Sequence, residues 1–223
     1  MSKWYVVLSG LQPGIYSTWP DCQAQVKGVS GSIFKSFKSK TEAEAYFKAS
    51  KAEKPPPKDY DLELDIYTDG SRQRKIGYLG CGAYVKFAEG EFRMSKECTP
   101  ELLKTYSITD TTCSNPTAEY MAFAEVLKEF KGFQSPHQVK LNFYCDYLGV
   151  KCWTSGEWSA KVSYIKKIKD CCLKLMKGMS CDVEVFHVKG HSGLAGNDEA
   201  DSCATDTTEY NNFDDLVTLL RQL

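Results

Sequence analysis

Apolar and polar residues alternate with a period of two in several short runs and recur near every 3.6 residues in several longer ones. Trp4–Leu8 reads as a strand. Gln12-Pro13-Gly14 is a turn, an extended run follows from Gly14 to Trp19, and Asp21–Val26 reads as a short helix. A second turn, Gly28-Val29-Ser30-Gly31, leads into the strand-like Ile33–Lys38. Thr41 is placed to start a second helix, with Glu44 three residues on as in a capping box. These runs predict a small sheet of three strands with two helices in about fifty residues, near the lower size limit for independent folding.

Lys51–Lys58 carries three prolines and few apolar residues, which predicts an extended, solvated spacer of about 3 Å per residue. The expected division is a first domain over 1–48, a linker over 49–60, a second domain over 61–208 and a helical extension over 209–223. In the second domain Leu64, Ile66 and Thr68 alternate with Asp65, Tyr67 and Asp69. Gly82–Phe87 and Phe92–Ser95 flank a turn and pair as a hairpin. Residues 97–114 are polar and poorly periodic, so a loop is expected, with one turn of helix at Pro100–Leu103.

A helix begins near Asn115, capped by Ser114 or Asn115, with Pro116 in its first turn, where its missing N–H costs nothing. Ala122, Phe123, Val126 and Phe130 form an apolar face behind Glu119, which therefore points inward. Val139–Asp146 is a central strand ending in an acid. Val162, Ile165, Ile168, Cys172 and Leu175 mark a long amphipathic helix, and Val183–Val188 the last strand. Asn197 reads as the cap of a further helix. Phe213, Leu216, Val217 and Leu220 suggest a short C-terminal helix packed on the core. Strands alternating with helices place the chain in the α/β class.

Composition narrows the setting. The 223 residues suit one large domain or two small ones, and 42% hydrophobic content is ordinary for a globular protein. No charged-then-apolar leader opens the chain and no apolar stretch is long enough to span a bilayer, so an intracellular protein, cytoplasmic or nuclear, without a membrane partner is expected. The ten cysteines include no CxxC pair, which argues against zinc and for reduced thiols packed as small apolar groups. The net charge of −1 hides an asymmetry: +5 over residues 1–58 and −6 over 59–223. The acidic part should approach a polyanion poorly, and the basic part would supply the attraction.

The candidate chemistry lies in four stretches. Ile66-Tyr67-Thr68-Asp69-Gly70-Ser71 reads either as an ordinary Asp-Gly turn or as a carboxylate at a strand tip. Asn115–Glu119, Tyr144-Cys145-Asp146-Tyr147, and Lys189–Gly193 with Asn197–Asp201 each add an acid, and the last adds His191. Glu119 alone could simply favour the helix dipole, but an inward glutamate needs a partner, and a metal would be one.

Taken in order from about Leu62 to Thr205, these four stretches resemble the ribonuclease H family, type 1. The resemblance implies a ribonuclease H-like five-stranded mixed sheet flanked by helices. It implies an endonuclease that cuts the RNA strand of RNA/DNA hybrids. Asp69, Glu119, Asp146 and Asp201 would hold two magnesium ions, with manganese as an alternative, and His191 would be the mobile histidine beside the scissile phosphate. Asp201 is preferred to Asp198 as a ligand by family position. Backbone groups at Gly70 and Ser71 and the Asn115 side chain would read the RNA 2′-hydroxyl. Trp153 and Trp158 either support a channel for the DNA strand or anchor a helix start. The lysine-rich helical protrusion of some members is missing, and His187, inside a strand, is expected to be structural.

The first domain resembles the hybrid-binding domain of many type 1 ribonucleases H and of caulimovirus viroplasmins. The match lies in Gly14-Ile15-Tyr16, Thr18-Trp19, Cys22, Gln25-Val26 and Phe34-Lys35-Ser36-Phe37. It implies that Trp19, Phe34 and Lys35, with Tyr5 beside them, grip the hybrid, and leaves double-stranded RNA as a second ligand. Leu8-Ser9 and Ser36 stand where the family often has basic residues, which implies a shallower salt dependence. A monomer is expected. The competing readings are a viroplasmin-like binder without catalysis, which should lack a carboxylate, and an integrase-like transferase, which lacks the His191 loop and the first domain.

Overall fold

The computed structural model describes residues 3–29, 32–51, 58–73, 78–88, 90–109, 114–190 and 193–223. They fall into two compact units, Met1–Lys58 and Asp59–Leu223.

In the first unit, β1 (Trp4–Ser9) lies between β2 (Gly14–Tyr16) and β3 (Ile33–Phe37), both antiparallel to it. The register puts Tyr5, Val7, Tyr16, Phe34 and Ser36 on one face. There α1 (Trp19–Val26) buries Cys22 and Val26 against Val7. Thr18 caps α1, its Oγ1 accepting from the Asp21 N–H at 3.3 Å. The second helix, α2 (Lys40–Lys51), starts earlier than its expected Thr41 cap. Ser39 Oγ accepts from the Glu42 N–H at 3.2 Å, and the Glu42 carboxylate accepts from the Lys38 N–H at 3.2 Å. Two overlapping Ser/Thr-x-x-Glu spacings compete here. The upstream one wins, and Glu44 instead pairs with Lys40 one turn back, at 3.3 Å.

The second unit contains β4 (Leu62–Gln73), β5 (Tyr78–Phe87), β6 (Gly90–Glu97), α3 (Pro100–Thr105), α4 (Asn115–Glu129), β7 (Val139–Cys145), α5 (Leu148–Ser155), α6 (Ser163–Lys177), β8 (Cys181–His187), α7 (Ala195–Thr205), β9 (Tyr210–Asn211) and α8 (Phe213–Gln222). The sheet order is β8-β7-β4-β5-β6-β9, with β4, β7 and β8 parallel and the β4–β5–β6–β9 side antiparallel. The five expected strands thus gain a sixth. β9 is two residues long, too short to carry an alternation, and it pairs Tyr210 and Asn211 with Ser95 and Met94.

Helix α4 covers one face of the sheet. The sequence shows one apolar face behind Glu119, yet Thr117–Leu127 is buried without a break. The reason is that α4 is enclosed: the sheet lies beneath it, α6 beside it, and α8 inserts Phe213, Leu216, Val217 and Leu220 at its far end. The helical turn expected at Pro100–Leu103 is present and extends to Thr105 as α3, but the segment around it is anchored in the core, not a free loop. Thr99 caps α3 by accepting from the Leu102 N–H at 3.3 Å, and Leu103, Tyr106 and Ile108 are buried in the main core. Three apolar anchors at irregular spacing leave no period to read. Tyr106 also donates to the fully buried Glu125 at 3.4 Å, whose charge is answered by Lys96 at 2.6 Å and Lys128 at 2.5 Å. The nine described cysteines are free, and seven of them are buried.

Two close approaches fix how helices meet this sheet. A Cβ at Gly70 would lie 2.1 Å from the Ala118 carbonyl carbon, so only glycine lets the start of α4 rest on β4. On the opposite face a Cβ at Gly80 or Gly82 would lie 2.1 Å from Ala204 O and 2.2 Å from Ala200 O, so α7 rests on β5 in the same way. Gly82→Ala must push α7 outward. Thermal denaturation should show the second unit destabilised by about 2 kcal/mol, a fall of about 5 °C in Tm.

Candidate active site

Asp69 does not sit at a strand tip. β4 continues to Gln73, with Asp69 paired to Gly82 and Gly70 to Cys81. Gly70 is therefore not a turn but the flat place on which α4 rests. That contact brings Glu119, in the first turns of α4, to the Gly70 N–H, which donates to its carboxylate at 3.2 Å. The parallel register of β4 and β7 ends at Thr68 opposite Cys145, so Asp146 emerges beside Asp69. One carboxylate oxygen from each of Asp69, Glu119 and Asp146 lies within 4.8 Å of the others.

Asp201, on α7, is not in that tight group but lines the same pocket. The pocket has a volume of about 140 Å³, and Ser71, Asn115 and Asn197 line it as well. Asp69 and Glu119 are only 6% and 8% exposed. Burial, and then the charges of Asp146 and Asp201, push the Asp69 carboxyl up to about 7, against the opposing pull of the Gly70 N–H. Burial, followed by the charges of Asp69 and Asp146, holds Glu119 well above the usual carboxylate range.

Asn197 is not a helix cap. α7 begins after Leu194, whose carbonyl accepts from the Asn197 N–H at 2.9 Å. The side chain is 3% exposed on the pocket wall, and its Oδ1 has no partner. The sequence held a signal for this role: Asn197 and Asp201 are four apart and share a helix face. Asp198 is exposed and does not line the pocket. His187, expected to be structural, reaches the backbone of the site, with Nε2 3.0 Å from the Asp146 carbonyl oxygen. Gly190 passes so close over Asp146 that a Cβ there would lie 2.5 Å from Oδ2. His191 lies outside the described residues.

The expected duplex-binding residues divide. Trp19 stands between Tyr5 and Phe34, 5.5 Å from each ring, with Trp19 40% and Phe34 44% exposed. Such exposure is unusual for aromatic side chains of a small core, so these rings form a platform. Lys35 does not belong to it. Neighbouring residues on a strand point to opposite faces, and Lys35 Nζ sits over Tyr46, 5.0 Å from its centroid, on the side of α2. Trp153 is on α5 and packs against Tyr120 and Tyr147 at 5.3 and 5.6 Å. Trp158 lies edge-on to it at 6.2 Å and is 41% exposed.

Comparison with known proteins gives matches to two families. The family described as "RNase H" matches residues 61–209, and "Ribonuclease H1 N-terminal domain" matches residues 3–47. Human "Ribonuclease H1" is 24% identical over 259 aligned residues, covering 90% of this chain and 87% of that protein. "Ribonuclease H" of Nitrosococcus oceani is 30% identical over 149 residues, covering 63% of this chain and 90% of its own length. "Ribonuclease H" of Crithidia fasciculata is 55% identical over 50 residues, which are 22% of this chain and 10% of that one.

The crowded acids make a prediction about pH. A carboxyl whose folded value is raised contributes stability below the unfolded value near 4, and that stability is lost as pH rises through about 7. In the presence of a chelator, the parent protein should therefore lose Tm between pH 5 and pH 8. Asp69→Asn should remove much of that loss and melt several degrees above the parent at pH 8, with no such advantage at pH 5. Parallel melting curves for the two proteins check this.

Proposed function

The chain belongs to the ribonuclease H family, which makes it an endoribonuclease, and we propose that it hydrolyses the RNA strand of RNA/DNA hybrids with the help of two divalent cations. The observation that carries this reading is the convergence of Asp69, Glu119 and Asp146, from positions far apart in the chain, on one small pocket that Asp201 also lines.

The residues fit such cations. Magnesium prefers hard oxygen ligands and keeps part of its water. Three clustered carboxylates supply the ligands, and the unpartnered Asn197 Oδ1 offers an acceptor for a retained water. Two magnesium ions held by Asp69, Glu119, Asp146 and Asp201, with manganese as an alternative, would supply activation of the attacking water and stabilisation of the leaving oxygen.

The chain's own groups do the rest. Ser71 and Asn115, beside the acids, read the 2′-hydroxyl that distinguishes RNA from DNA. His191 moves a proton at the leaving group. The Tyr5–Trp19–Phe34 platform lies against the duplex, and the positive first domain draws the polyanion that the negative second domain repels. In this reading the protein acts inside the cell as a monomer. Double-stranded RNA is a weaker ligand of the first domain and is not cut.

Incubation with labelled RNA/DNA hybrid, RNA duplex and DNA duplex tests the reading. Only the RNA of the hybrid should be cut, and only with divalent cation present. Asp146→Asn should slow cleavage by about 10³-fold while leaving hybrid affinity within about twofold. A variant that still cuts at the parent rate removes the site assignment, and a parent that binds hybrid without cutting it leaves the binding-module reading. Trp19→Ala should weaken hybrid binding by about tenfold in a titration, the loss of one stacking contact.

A further inference from the structure

Between residues 161 and 177 the chain carries six lysines and one acid, inside a unit whose net charge is −6. On α6, Ile165, Ile168 and Cys172 are buried. Lys166, Lys167, Lys174 and Lys177 are exposed, and at about 100° per residue they fall within one arc on the opposite side of the helix. None of the four joins an ion pair with a described residue. Lys167 does donate to Ser107 Oγ at 2.5 Å, which holds it in place without neutralising it. Asp170, the one acid of the run, stands in the same arc and is exposed, and it forms no ion pair with any of the four. The face therefore carries four lysines against one carboxylate, in a unit with an excess of carboxylates, which is not the evenly mixed charge pattern of an ordinary solvated surface.

The face continues into a concavity. Lys174 meets Lys128 and Lys131, from the end of α4, around a pocket of about 520 Å³ floored by Cys171 and Leu175. Glu125 answers Lys128, so the charges of Lys131 and Lys174 are left over. Lysine is a compact point charge on a flexible stem, suited to phosphates that need no fixed fork of donors. From Lys166 to Lys177 the helix runs about 16 Å, the length over which a duplex carries about ten phosphates.

We propose that this α6 face, with the Lys128–Lys131–Lys174 pocket beside it, is a second seat for the phosphate backbone of a nucleic-acid duplex, apart from the acid pocket. The proposal rests on the hybrid as substrate. Along α4 the pocket begins nine residues beyond Glu119, about 14 Å away, so the seat engages duplex several base pairs from the cut. It offsets locally the repulsion that the acidic unit otherwise imposes, and it acts without the first domain.

The test uses the full chain carrying Asp146→Asn, so that hybrid is bound without being cut. The quadruple variant Lys166→Gln, Lys167→Gln, Lys174→Gln and Lys177→Gln is compared with a control, Lys86→Gln with Lys104→Gln. Binding of a labelled hybrid of about 20 base pairs is measured from 50 to 300 mM salt. The slope of log affinity against log salt should become shallower by about 2 to 3 in the quadruple variant and stay unchanged in the control. A slope equal to the parent's overturns the proposal, as does loss of polyglutamate binding with hybrid binding intact, which would assign the face to an acidic protein. Far-UV circular dichroism and Tm of the variant show that it is folded. Failure of the substrate reading appears separately, as absence of hybrid cleavage by the protein with Asp146 restored.

Discussion

Like charges held together out of water set the terms for the second unit. Asp69, Glu119 and Asp146 each bring an oxygen within 4.8 Å of the others, and two of them are almost fully buried. Burial and mutual repulsion both oppose ionisation, which is why the Asp69 carboxyl is pushed up to about 7 and Glu119 is held well above the usual carboxylate range. Left to itself such a cluster would open. It stays closed because its supports belong to the core. β4 and β7 are paired strands at the centre of the sheet, and α4 is buried over eleven consecutive residues. The destabilised group is small, and the apolar frame around it is large.

Glycine supplies the remaining geometry. Helices normally stand off a sheet by the width of their side chains. At Gly70 the start of α4 comes within backbone contact of β4, and at Gly80 and Gly82 the same happens between α7 and β5. Those contacts bring Glu119 and Asp201 toward Asp69 from opposite faces of one sheet. Gly190 then lets the loop after β8 pass over Asp146. A Cβ at any of these positions would push the acids apart, so the glycines are as much a part of the site as the carboxylates, although they bring no side chain to it.

The parts of this arrangement that follow from local pattern were legible in the sequence. Alternation in Leu64–Tyr67 and Val139–Cys145 reveals strands, and the apolar series behind Glu119 reveals which way that acid points. What depends on distant contacts was not. Gly70 reads as a turn because Asp-Gly usually is one, and nothing nearby announces that Ala118 will lie on it. Asn197 reads as a cap because the true start of α7, after Leu194, has no capping side chain. Lys35 enters with Phe34 through the family resemblance, whereas the strand turns the two to opposite faces and Lys35 lies over Tyr46. Leu103, Tyr106 and Ile108 anchor their segment through three unrelated contacts, so no window of sequence carries a period for them.

The division of charge between the units follows from the same crowding. A site that binds cations must be acidic, and an acidic surface repels the nucleic acid it is to cut. Placing the attraction elsewhere resolves this. The first unit carries an excess of lysine and an exposed aromatic platform, and the second groups Lys166, Lys167, Lys174 and Lys177 on the side of α6 away from the core. The α6 lysines do not line the acid pocket, so within the second unit the titration of the acids is set by the pocket itself. Binding strength and cleavage chemistry are then separable quantities. On the function proposed above, a change in the lysines or in Trp19 would alter how long the duplex stays, and a change in the carboxylates would alter what happens to it there.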